Sequence, residues 1–425
     1  MTTTIKLDHI TKIEGHARLI VKVDNGKVKK AQLEVYEGAR FFEGILKGRK
    51  YDEANVITSR ICGVCSQSHT IAALKAIEDA LQIKVTKQTH MLRELLLIGS
   101  IIQSHALHLF FLSLPDYYGY DSAIAMAGKY PGLVKRGLKL KRLGNDICTL
   151  IGGREIHTIT AVVGGFCHVP AQKDINTLLK SLKKDKKEFI ATAKLLAKLK
   201  VPKLETPRYF YAMKDSYKYS EEEGLIECIG NKCIPAKSYG QYFKEDIMQY
   251  STAKFVTVGG ERFMVGAQAR INLYHNRLCK EAATILKQSR IKLPMQNPYY
   301  NNFCQALEML HLCHRAIELL SKLKIKEEKV PEFRVKAGTG IAAVEVPRGT
   351  LFHEYELDDN GMIIRANIIT PTTQNLKSIE EDVKDILPSL LQYGEERIKM
   401  ELEKLIRAYD PCISCSTHFL KIKWE

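Results

Sequence analysis

The sequence predicts an α+β protein that is predominantly helical, with antiparallel β elements around a helical core. Two observations support this fold class. Asn25-Gly26 and Asn360-Gly361 each separate two apolar segments with alternating patterns, which is typical of a β-hairpin. Between these sites, apolar residues mostly recur at spacings of three and four, as they do in amphipathic helices. Both ends of the chain are therefore expected to supply strands, and the middle to supply helices.

Individual elements follow from the same patterns. The first hairpin is predicted from alternation at Leu19, Val21 and Val23 before the turn and at Val28, Leu33 and Val35 after it. The second is predicted from Leu351–Leu357 and Ile363–Ile369. Helices are predicted over Ile71–Leu81, Thr89–Leu114, Asn176–Leu199, Ala282–Lys287, Phe303–Leu323 and Leu376–Tyr409.

Domain organisation is predicted to be simple, because the chain has no internal repeat, low-complexity tract or long linker. Residues 1–425 are expected to form a single unit. Within it, residues 1–50 form an N-terminal hairpin region and residues 51–330 a mainly helical core with a first cysteine motif. Residues 331–418 contain the second hairpin, a helix and a second cysteine motif, and residues 419–425 form a tail.

Composition is that of an ordinary globular protein, with 45% hydrophobic and 26% charged residues among 425. Lys and Arg number 64 against 48 Asp and Glu, for a formal net charge of +16. The basic runs at Lys135–Arg142 and Lys180–Lys200 lack interleaved aromatic residues or a nucleic-acid-binding module. We interpret them as solvated helix faces and predict no nucleic-acid partner; an acidic protein partner remains an alternative.

Cellular location is predicted from the absence of an apolar signal segment at the start of the sequence, which indicates a reducing cytoplasm. Leu95–Leu114 is uncharged over about the length of a bilayer span. Ser100, Ser104 and His108 recur there every four residues, so one helical face is polar. The segment is therefore predicted to be a buried core helix facing a polar site, and no transmembrane segment is expected.

Two Cys-x-x-Cys pairs, Cys62/Cys65 and Cys412/Cys415, are the strongest chemical signal among the 11 cysteines. Two intervening residues let both thiolates of a pair reach one ion, and four thiolates suit zinc, nickel or iron. Structural zinc modules place their pairs roughly 15–20 residues apart. The wide separation here favours a buried active site, with a structural zinc site as the alternative. A thiol–disulfide redox pair is less favoured, since no thioredoxin-like βαβ unit surrounds either motif.

Around both pairs, the sequence resembles the large subunits of nickel–iron hydrogenases. The two metal-binding motifs are matched by Arg60-Ile-Cys62-Gly-Val-Cys65 with His69, and by Asp410-Pro-Cys412-Ile-Ser-Cys415-Ser-Thr-His418. Further elements in family order are Lys12-Ile-Glu14-Gly-His16, Arg40-Phe-Phe-Glu43, Gly152-Gly-Arg-Glu-Ile-His157 with Gly164-Gly165, Pro347-Arg348-Gly349 and Pro371-Thr372-Thr373. Residues 104–117 and 410–418 most resemble the cytoplasmic NADP-coupled or sulfur-reducing archaeal-type enzymes. The resemblance implies the large-subunit fold, with a central helical bundle and peripheral antiparallel β elements.

The resemblance also implies a reversible H2-cleaving enzyme with nickel and an iron that carries carbon monoxide and cyanide. Cys62 and Cys412 would be terminal nickel ligands, and Cys65 and Cys415 would bridge to iron. Cys412 would accept a proton, which Glu14 would relay outward. Considered without the resemblance, Glu14 would be a capping or surface carboxylate.

Other site residues are implied in the same way. Arg348, next to Pro347, would lie over the open face of the metals, with Asp116 and Asp410 orienting its guanidinium. Thr372 would hydrogen-bond a cyanide. His69 would hydrogen-bond near a bridging thiolate, with a core histidine as the alternative reading.

A magnesium site and a processed C terminus complete the implied features. Glu43, the main-chain carbonyl of Ile368 and His418 would hold magnesium. Precursors in the family are often cleaved after the histidine that His418 matches, so a maturation protease is expected to remove residues 419–425 after chaperones have inserted the metals. Only seven residues follow His418, fewer than in many such extensions, and retention of this tail is the alternative.

Partner subunits are expected because the sequence has no third cluster of closely spaced cysteines to carry electrons away. An iron–sulfur small subunit is therefore implied, with flavin and NADP(H) diaphorase subunits beyond it. Two other hypotheses are a non-catalytic core subunit related to respiratory complex I and a structural four-cysteine zinc protein. The complex I relatives lack the cysteine pairs, so the four thiols speak against the first.

Overall fold

The computed structural model describes residues 2–214, 225–229 and 233–417. A π-helix at His108–Ser113 joins two of the α-helices, Lys87–Leu107 and Leu114–Tyr118. Over the described residues, the α-helices are α1 (Phe42–Leu46), α2 (Ala54–Thr58), α3 (Ser66–Leu81), α4 (Lys87–Leu107), α5 (Leu114–Tyr118), α6 (Ala123–Ala127), α7 (Pro131–Gly152), α8 (Gln172–Leu196), α9 (Ala267–Tyr274), α10 (Lys280–Ser289), α11 (Asn301–Lys322), α12 (Pro371–Leu390), α13 (Glu395–Ala408) and α14 (Ile413–Ser416).

The strands form small sheets, mostly antiparallel, which confirms the predicted fold class. The strands are β1 (Thr2–Leu7), β2 (Ala17–Asp24), β3 (Lys27–Val35), β4 (Ala161–Val162), β5 (Gly165–Phe166), β6 (Tyr209–Met213), β7 (Leu225–Ile229), β8 (Ile234–Pro235), β9 (Phe243–Ile247), β10 (Lys254–Val258), β11 (Phe263–Met264), β12 (Gly338–Val346), β13 (Gly349–Leu357) and β14 (Ile363–Ile369). The order of strands in each sheet is β1-β2-β3, β12-β13-β14, β11-β6-β7-β8, β10-β9 and β4-β5.

Helices α3, α4, α7, α8 and α11 pack into the helical core, where the largest apolar cluster lies. The apolar spacing did not predict α7, although the basic run Lys135–Arg142 within it was interpreted as a helix face. Gly137 and Gly144 lower the helix propensity of this segment. Both glycines are needed for the close packing of α7 against α4 and the π-helix that follows α4. A Cβ on Gly144 would lie 2.6 Å from the backbone nitrogen of Gln103, and one on Gly137 would lie 2.5 Å from the Cβ of Phe110.

The helical segment Lys87–Tyr118 is long and apolar enough to cross a membrane by length and composition, with a mean hydropathy of 1.8 over its most apolar window. However, 83% of that window is buried inside the protein, as expected for a core helix. The polar stripe at Ser100, Ser104 and His108 is also buried, and it faces other polar side chains rather than solvent.

Both predicted hairpins are present. Asn25 and Gly26 join β2 to β3 with φ angles of 48° and 74°, as a type I′ turn requires. Strands β13 and β14 pair across the second turn. The structure adds β1 on the first sheet and β12 on the second, neither of which was predicted. Because Val346 of β12 pairs with Gly349 of β13, Pro347 and Arg348 are the two residues at the tip of an additional tight hairpin.

Two parts of the predicted helical pattern differ from the structure. Residues 209–264 contain strands of two to five residues around an aromatic cluster, and β11 pairs with β6 in parallel. Such short strands contain too few residues for a clear alternating pattern. The predicted helix Leu376–Tyr409 is two helices, because Pro388 weakens the end of α12 and Gly394 is the extended N-cap of α13.

Candidate metal centre

The first cysteine pair lies in the turn that leads into α3. Cys62 has an extended backbone, and Cys65 is the N-cap residue of the helix. The backbone N–H groups of Val64 and Cys65 each donate to the Cys62 sulfur at 3.3 Å. These two donors stabilise negative charge on the sulfur, which suits a metal ligand.

The second pair lies at the start of α14 and within it; α14 is a single helical turn near the end of the described residues. Cys412 is its N-cap, and Cys415 lies on the turn. The backbone N–H of Cys412 donates to Oγ1 of Thr372 at 3.0 Å, which ties this turn to the first turn of α12. Asp410, two residues before Cys412, has a φ of 52°, so the chain reverses direction just before the pair.

The four sulfurs converge although the two pairs are 350 residues apart. Cys62 and Cys412 are 3.4 Å apart between sulfurs, as are Cys65 and Cys415, and all four lie within 4.8 Å of one another. Burial raises the pKa of the Cys412 and Cys415 thiols well above the ordinary value, whereas the hydrogen bond from Cys412 lowers the pKa of Cys62. Four buried thiolates need compensating cations, so this donor set fits soft metal ions.

Arg40 connects the two cysteine segments, a role that the sequence analysis missed. Its Nη2 donates to the carbonyl oxygens of Ile61, at 2.5 Å, and of Ser414. Its backbone N–H donates to the carbonyl of Thr417 at 2.9 Å. The motif Arg40-Phe-Phe-Glu43 drew attention to Glu43 only, because carbonyl partners from distant segments leave no pattern in the sequence.

Glu14 lies beside the second pair. Its Oε2 is 3.2 Å from the Cys412 sulfur and accepts the Ser414 N–H at 3.0 Å. The Glu14 carbonyl accepts the Ile413 N–H at 2.9 Å, so backbone and side chain are both fixed. Gly15, with a φ of +83°, permits this approach, since a Cβ there would lie 2.7 Å from that of Ile413. The Glu14 carboxylate is therefore held in contact with the Cys412 sulfur.

Arg348 reaches the centre from the tip of the β12–β13 hairpin. Its Nε donates to the Asp410 carbonyl at 2.6 Å, and its Nη2 donates to Oδ1 of Asp410 at 2.9 Å. Ser104, from the polar stripe of α4, lies 3.4 Å from Nη1. Burial opposes its charge, but Asp410 and the nearby thiols raise the pKa of Arg348, so the guanidinium remains a permanent cation.

Asp116 does not contact Arg348, contrary to the expected orienting role. Its Oδ2 accepts from Nη1 of Arg407 at 2.7 Å, and its Oδ1 accepts from Lys12. The carboxylate lies on α5, so it links the α13 arginine to the segment preceding Glu14. Partner choice here depends on tertiary packing between residues 291 positions apart.

Asp410 is instead supported by Gln305 of α11, which is held in turn by His108 of the π-helix. Nε2 of Gln305 donates to Oδ2 of Asp410 at 3.1 Å. His108 lies 2.6 Å from Oε1 of the same glutamine and 2.7 Å from the Arg407 carbonyl. Both Asp410 oxygens are therefore engaged, which fixes the carboxylate that receives Arg348.

His69 also lies beside the cysteines, with its Nε2 3.8 Å from the Cys415 sulfur. Its Nδ1 is 3.1 Å from Nε2 of His353, whose Nδ1 is 2.7 Å from the Tyr355 hydroxyl. His353 and Tyr355 belong to β13 and were not identified from the sequence. The predicted proximity of His69 to one of the paired thiols is present.

A small cavity between Pro347, Arg348, Pro371 and Thr372 adjoins the cysteines.

Glu43 lies apart from the sulfurs. Its Oε1 accepts the backbone N–H of Ile368 at 2.9 Å and lies 3.1 Å from Nζ of Lys254. The ammonium is also 3.0 Å from Oε1 of Glu245. The bond from Ile368 involves its amide, whereas the prediction concerned its carbonyl. His418, the third predicted magnesium ligand, and the tail at 419–425 lie outside the described residues.

Four buried thiols that converge beside a fixed guanidinium, on a helical scaffold, form a site for soft metal ions. A nickel-dependent hydrogenase family model matches residues 40–130 and 214–418, and a HoxL-like model matches residues 4–37. The chain belongs to the nickel-dependent hydrogenase family, as a nickel–iron large subunit and an oxidoreductase acting on H2.

Individual relatives agree with this assignment. Sulfhydrogenase 1 subunit alpha of Pyrococcus furiosus is 36% identical over 98% of both chains. Sulfhydrogenase 2 subunit alpha of the same organism is 37% identical over 98% of this chain and all of that one. In fold, the chain is similar to a crystal structure of an NAD+-reducing [NiFe]-hydrogenase in the H2-reduced state, with a TM-score of 0.88, 24% identity, and coverage of 98% and 99%.

Proposed function

We propose that this chain cleaves H2 reversibly and heterolytically at a nickel–iron centre, with Cys62 and Cys412 as terminal nickel ligands and Cys65 and Cys415 as bridges to iron. The observation that carries the proposal is the convergence of these four buried sulfurs within 4.8 Å. The metals would supply the site at which the H–H bond is polarised. Thiolates suit this redox centre because they are soft, electron-rich ligands.

In this proposal, Cys412 and Glu14 transfer the proton. The 3.2 Å contact between the sulfur and Oε2 supports a direct handover of the proton from the thiol to the carboxylate. A general base must lie within hydrogen-bond reach of the proton it takes up. Glu14 meets this requirement, and the Ser414 N–H holds its side chain in place.

Arg348 would stabilise negative charge at the centre, and its guanidinium is fixed by Asp410. A permanently charged, preorganised donor in a dry site stabilises developing negative charge without reorganisation. Arg348, Pro347 and Thr372 border one cavity beside the cysteines, which supports their assignment as the cradle for carbon monoxide and cyanide ligands on iron. Thr372 is also a candidate hydrogen-bond donor to cyanide.

Magnesium would be held by Glu43, the carbonyl of Ile368 and His418. Oxygen donors of the kind that magnesium prefers are present at Glu43 and Glu245. Lys254 neutralises one of these two carboxylates, which leaves a local charge of −1. A divalent cation would therefore find an acidic environment there.

Electrons would leave to an iron–sulfur small subunit, and from there to flavin and NADP(H) diaphorase subunits in the cytoplasm. A cavity of about 440 Å³ lies beside the first cysteine loop, between Arg60, His157 and Asn55. Val56 and Ile159 on its rim are 49% and 55% exposed. Exposed apolar side chains next to a redox centre support this face as the docking site of the small subunit.

Maturation would require metal insertion before the C-terminal segment closes. Cys412, Cys415 and Thr417 are all buried, and Arg40 holds the segment from the outside. This burial supports the action of metal-insertion chaperones followed by proteolytic removal of residues 419–425.

The proposed activity is tested by exchange between D2 gas and H2O, catalysed by the purified complex. We expect HD and H2 to form, and we expect C62S to abolish exchange because it removes a nickel ligand. C148S is the matched control, since Cys148 is equally buried but lies outside the cluster. A complex that carries nickel and iron without exchanging D2, or C62S with normal exchange, contradicts the proposal.

A further inference from the structure

A second buried arginine holds the turn that presents Arg348. Arg270, on α9, is 1% exposed, and its guanidinium points at the tip of the β12–β13 hairpin. Nη1 donates to the carbonyl of Val346 at 3.0 Å, and Nη2 donates to the carbonyl of Pro347 at 3.2 Å. The two carbonyls immediately before Arg348 are thus bound by one planar group.

The same guanidinium is held by two carboxylates. Nε and Nη2 donate to Glu308 on α11 at 2.6 and 2.7 Å, and Nη1 donates to Glu345 on β12 at 2.6 Å. Glu345 also accepts the Thr350 hydroxyl at 2.6 Å, directly across the hairpin. The strand pair next to the hairpin tip, the tip itself and α11 are therefore joined through Arg270.

The turn also packs closely against Val265 and Gly266, at the start of α9. Gly349 has a φ of +136°, and a Cβ there would lie 2.4 Å from Cγ2 of Val265. Likewise, a Cβ on Gly266 would lie 3.0 Å from the carbonyl oxygen of Arg348. The backbone N–H of Arg270 donates to the Gly266 carbonyl at 3.0 Å, so the helix that carries the arginine begins where the turn rests.

We propose that Arg270 is a positioning residue for Arg348: its fork of hydrogen bonds fixes the hairpin tip so that the Arg348 guanidinium meets Asp410 over the metal centre. The inference rests on the proposed role of Arg348. A lysine at position 270 would keep the charge among the carboxylates but would lose the planar fork that contacts two carboxylates and two carbonyls at once. The hairpin tip would then be free to shift.

The test compares R270K with R93K in the purified complex. Arg93 is a matched control, because it is fully buried, donates to both oxygens of Glu78 at 2.6 Å and reaches the Val162 carbonyl at 3.1 Å, away from the hairpin. We expect R270K to lower kcat for H2 oxidation by roughly 10²-fold, as a displacement of about 1 Å can do. KM for H2 should stay unchanged, since substrate binding is not altered. R93K should keep the wild-type kcat.

Two readouts separate positioning from general stability. The infrared bands of the diatomic ligands should shift in R270K and in R348K but not in R93K. In an R348K background, R270K should cause no further loss of kcat, because both changes act through one side chain. Wild-type kcat and bands in R270K, or additive losses in the double variant, would overturn the inference.

The outcome remains informative if R270K does not assemble. T350V removes the hydroxyl that donates to Glu345 with little change in shape, and it should give the same band shift with a smaller loss of kcat. Wild-type infrared bands and kcat in T350V would contradict the proposal that Arg270 and Glu345 fix the hairpin tip. A wild-type complex that carries both metals and does not turn over H2 would refute the proposed function itself, which is a different result.

Discussion

Replacing Glu14 by glutamine separates proton transfer from structure at the metal centre. The carboxyl Oε2 accepts the Ser414 N–H at 3.0 Å and lies 3.2 Å from the Cys412 sulfur. An amide oxygen can occupy the same place, and the bond from the Ile413 N–H to the Glu14 carbonyl is unaffected. The variant should therefore keep its metals and its thermal stability while losing the ability to take up a proton.

The size of the effect follows from the role assigned to the carboxylate. Proton transfer by a positioned side chain contributes about 10²–10⁴-fold to rate, which corresponds to about 3–5 kcal/mol. Exchange between D2 and H2O by E14Q should accordingly fall by at least about 10²-fold. E37Q is the control, because Glu37 follows in the same N-terminal region, contacts His16 and lies away from the sulfurs. Exchange by a metal-replete E14Q within a few-fold of wild type would refute the relay.

Three further changes have distinct expected outcomes. C65S should lose nickel and iron together, as measured by elemental analysis; normal contents of both would rule out Cys65 as a bridging ligand. G15A should destabilise the C-terminal turn by about 1–3 kcal/mol, because its Cβ would lie 2.7 Å from that of Ile413, and an unchanged melting temperature would contradict this packing. Burial alone would raise the pKa of Glu308, but the charge of Arg270 and hydrogen bonds from His105 and Arg270 lower it from 4.5 to about 2. Because the folded pKa is the lower one, this stabilisation is full above pH 4.5 and is lost between 4.5 and 2, by roughly 3 kcal/mol in total. Parallel pH dependences of stability for wild type and E308Q over that range would show the assignment to be wrong.

The parts of the fold that local sequence determines were predictable. Asn25-Gly26 and Asn360-Gly361 specify backbone turns through residues that tolerate positive φ, and the strands beside them lie where the alternation predicts. Long helices with regular apolar spacing were predicted for the same reason. Strand β12 was missed, although it creates the tight turn that carries Arg348. Two glycines and two alanines among its nine residues lower its strand propensity, so its alternating pattern is weak.

In the candidate site, the cysteine pairs were predictable from the sequence, but the contacts that hold them were not. The two cysteine pairs are identified by spacing, and their convergence followed from ligand chemistry. The contacts that hold them are between distant segments, which no local pattern records. Asp116 pairs with Arg407 instead of Arg348, and Arg40 and Arg270 bind backbone carbonyls. The partners of Arg40, Arg270 and Arg407 come from distant segments that only folding brings together. Only the structure therefore identifies these contacts.

The most direct test of the central claim is the metal content of the mature complex. Elemental analysis of purified material should give one nickel and one iron per large subunit at the four-cysteine site, with zinc far below one. Iron–sulfur iron in the partner subunit can be subtracted after the two subunits are separated. One zinc per chain with no nickel would contradict the account, because it would make the cluster of Cys62, Cys65, Cys412 and Cys415 a structural site.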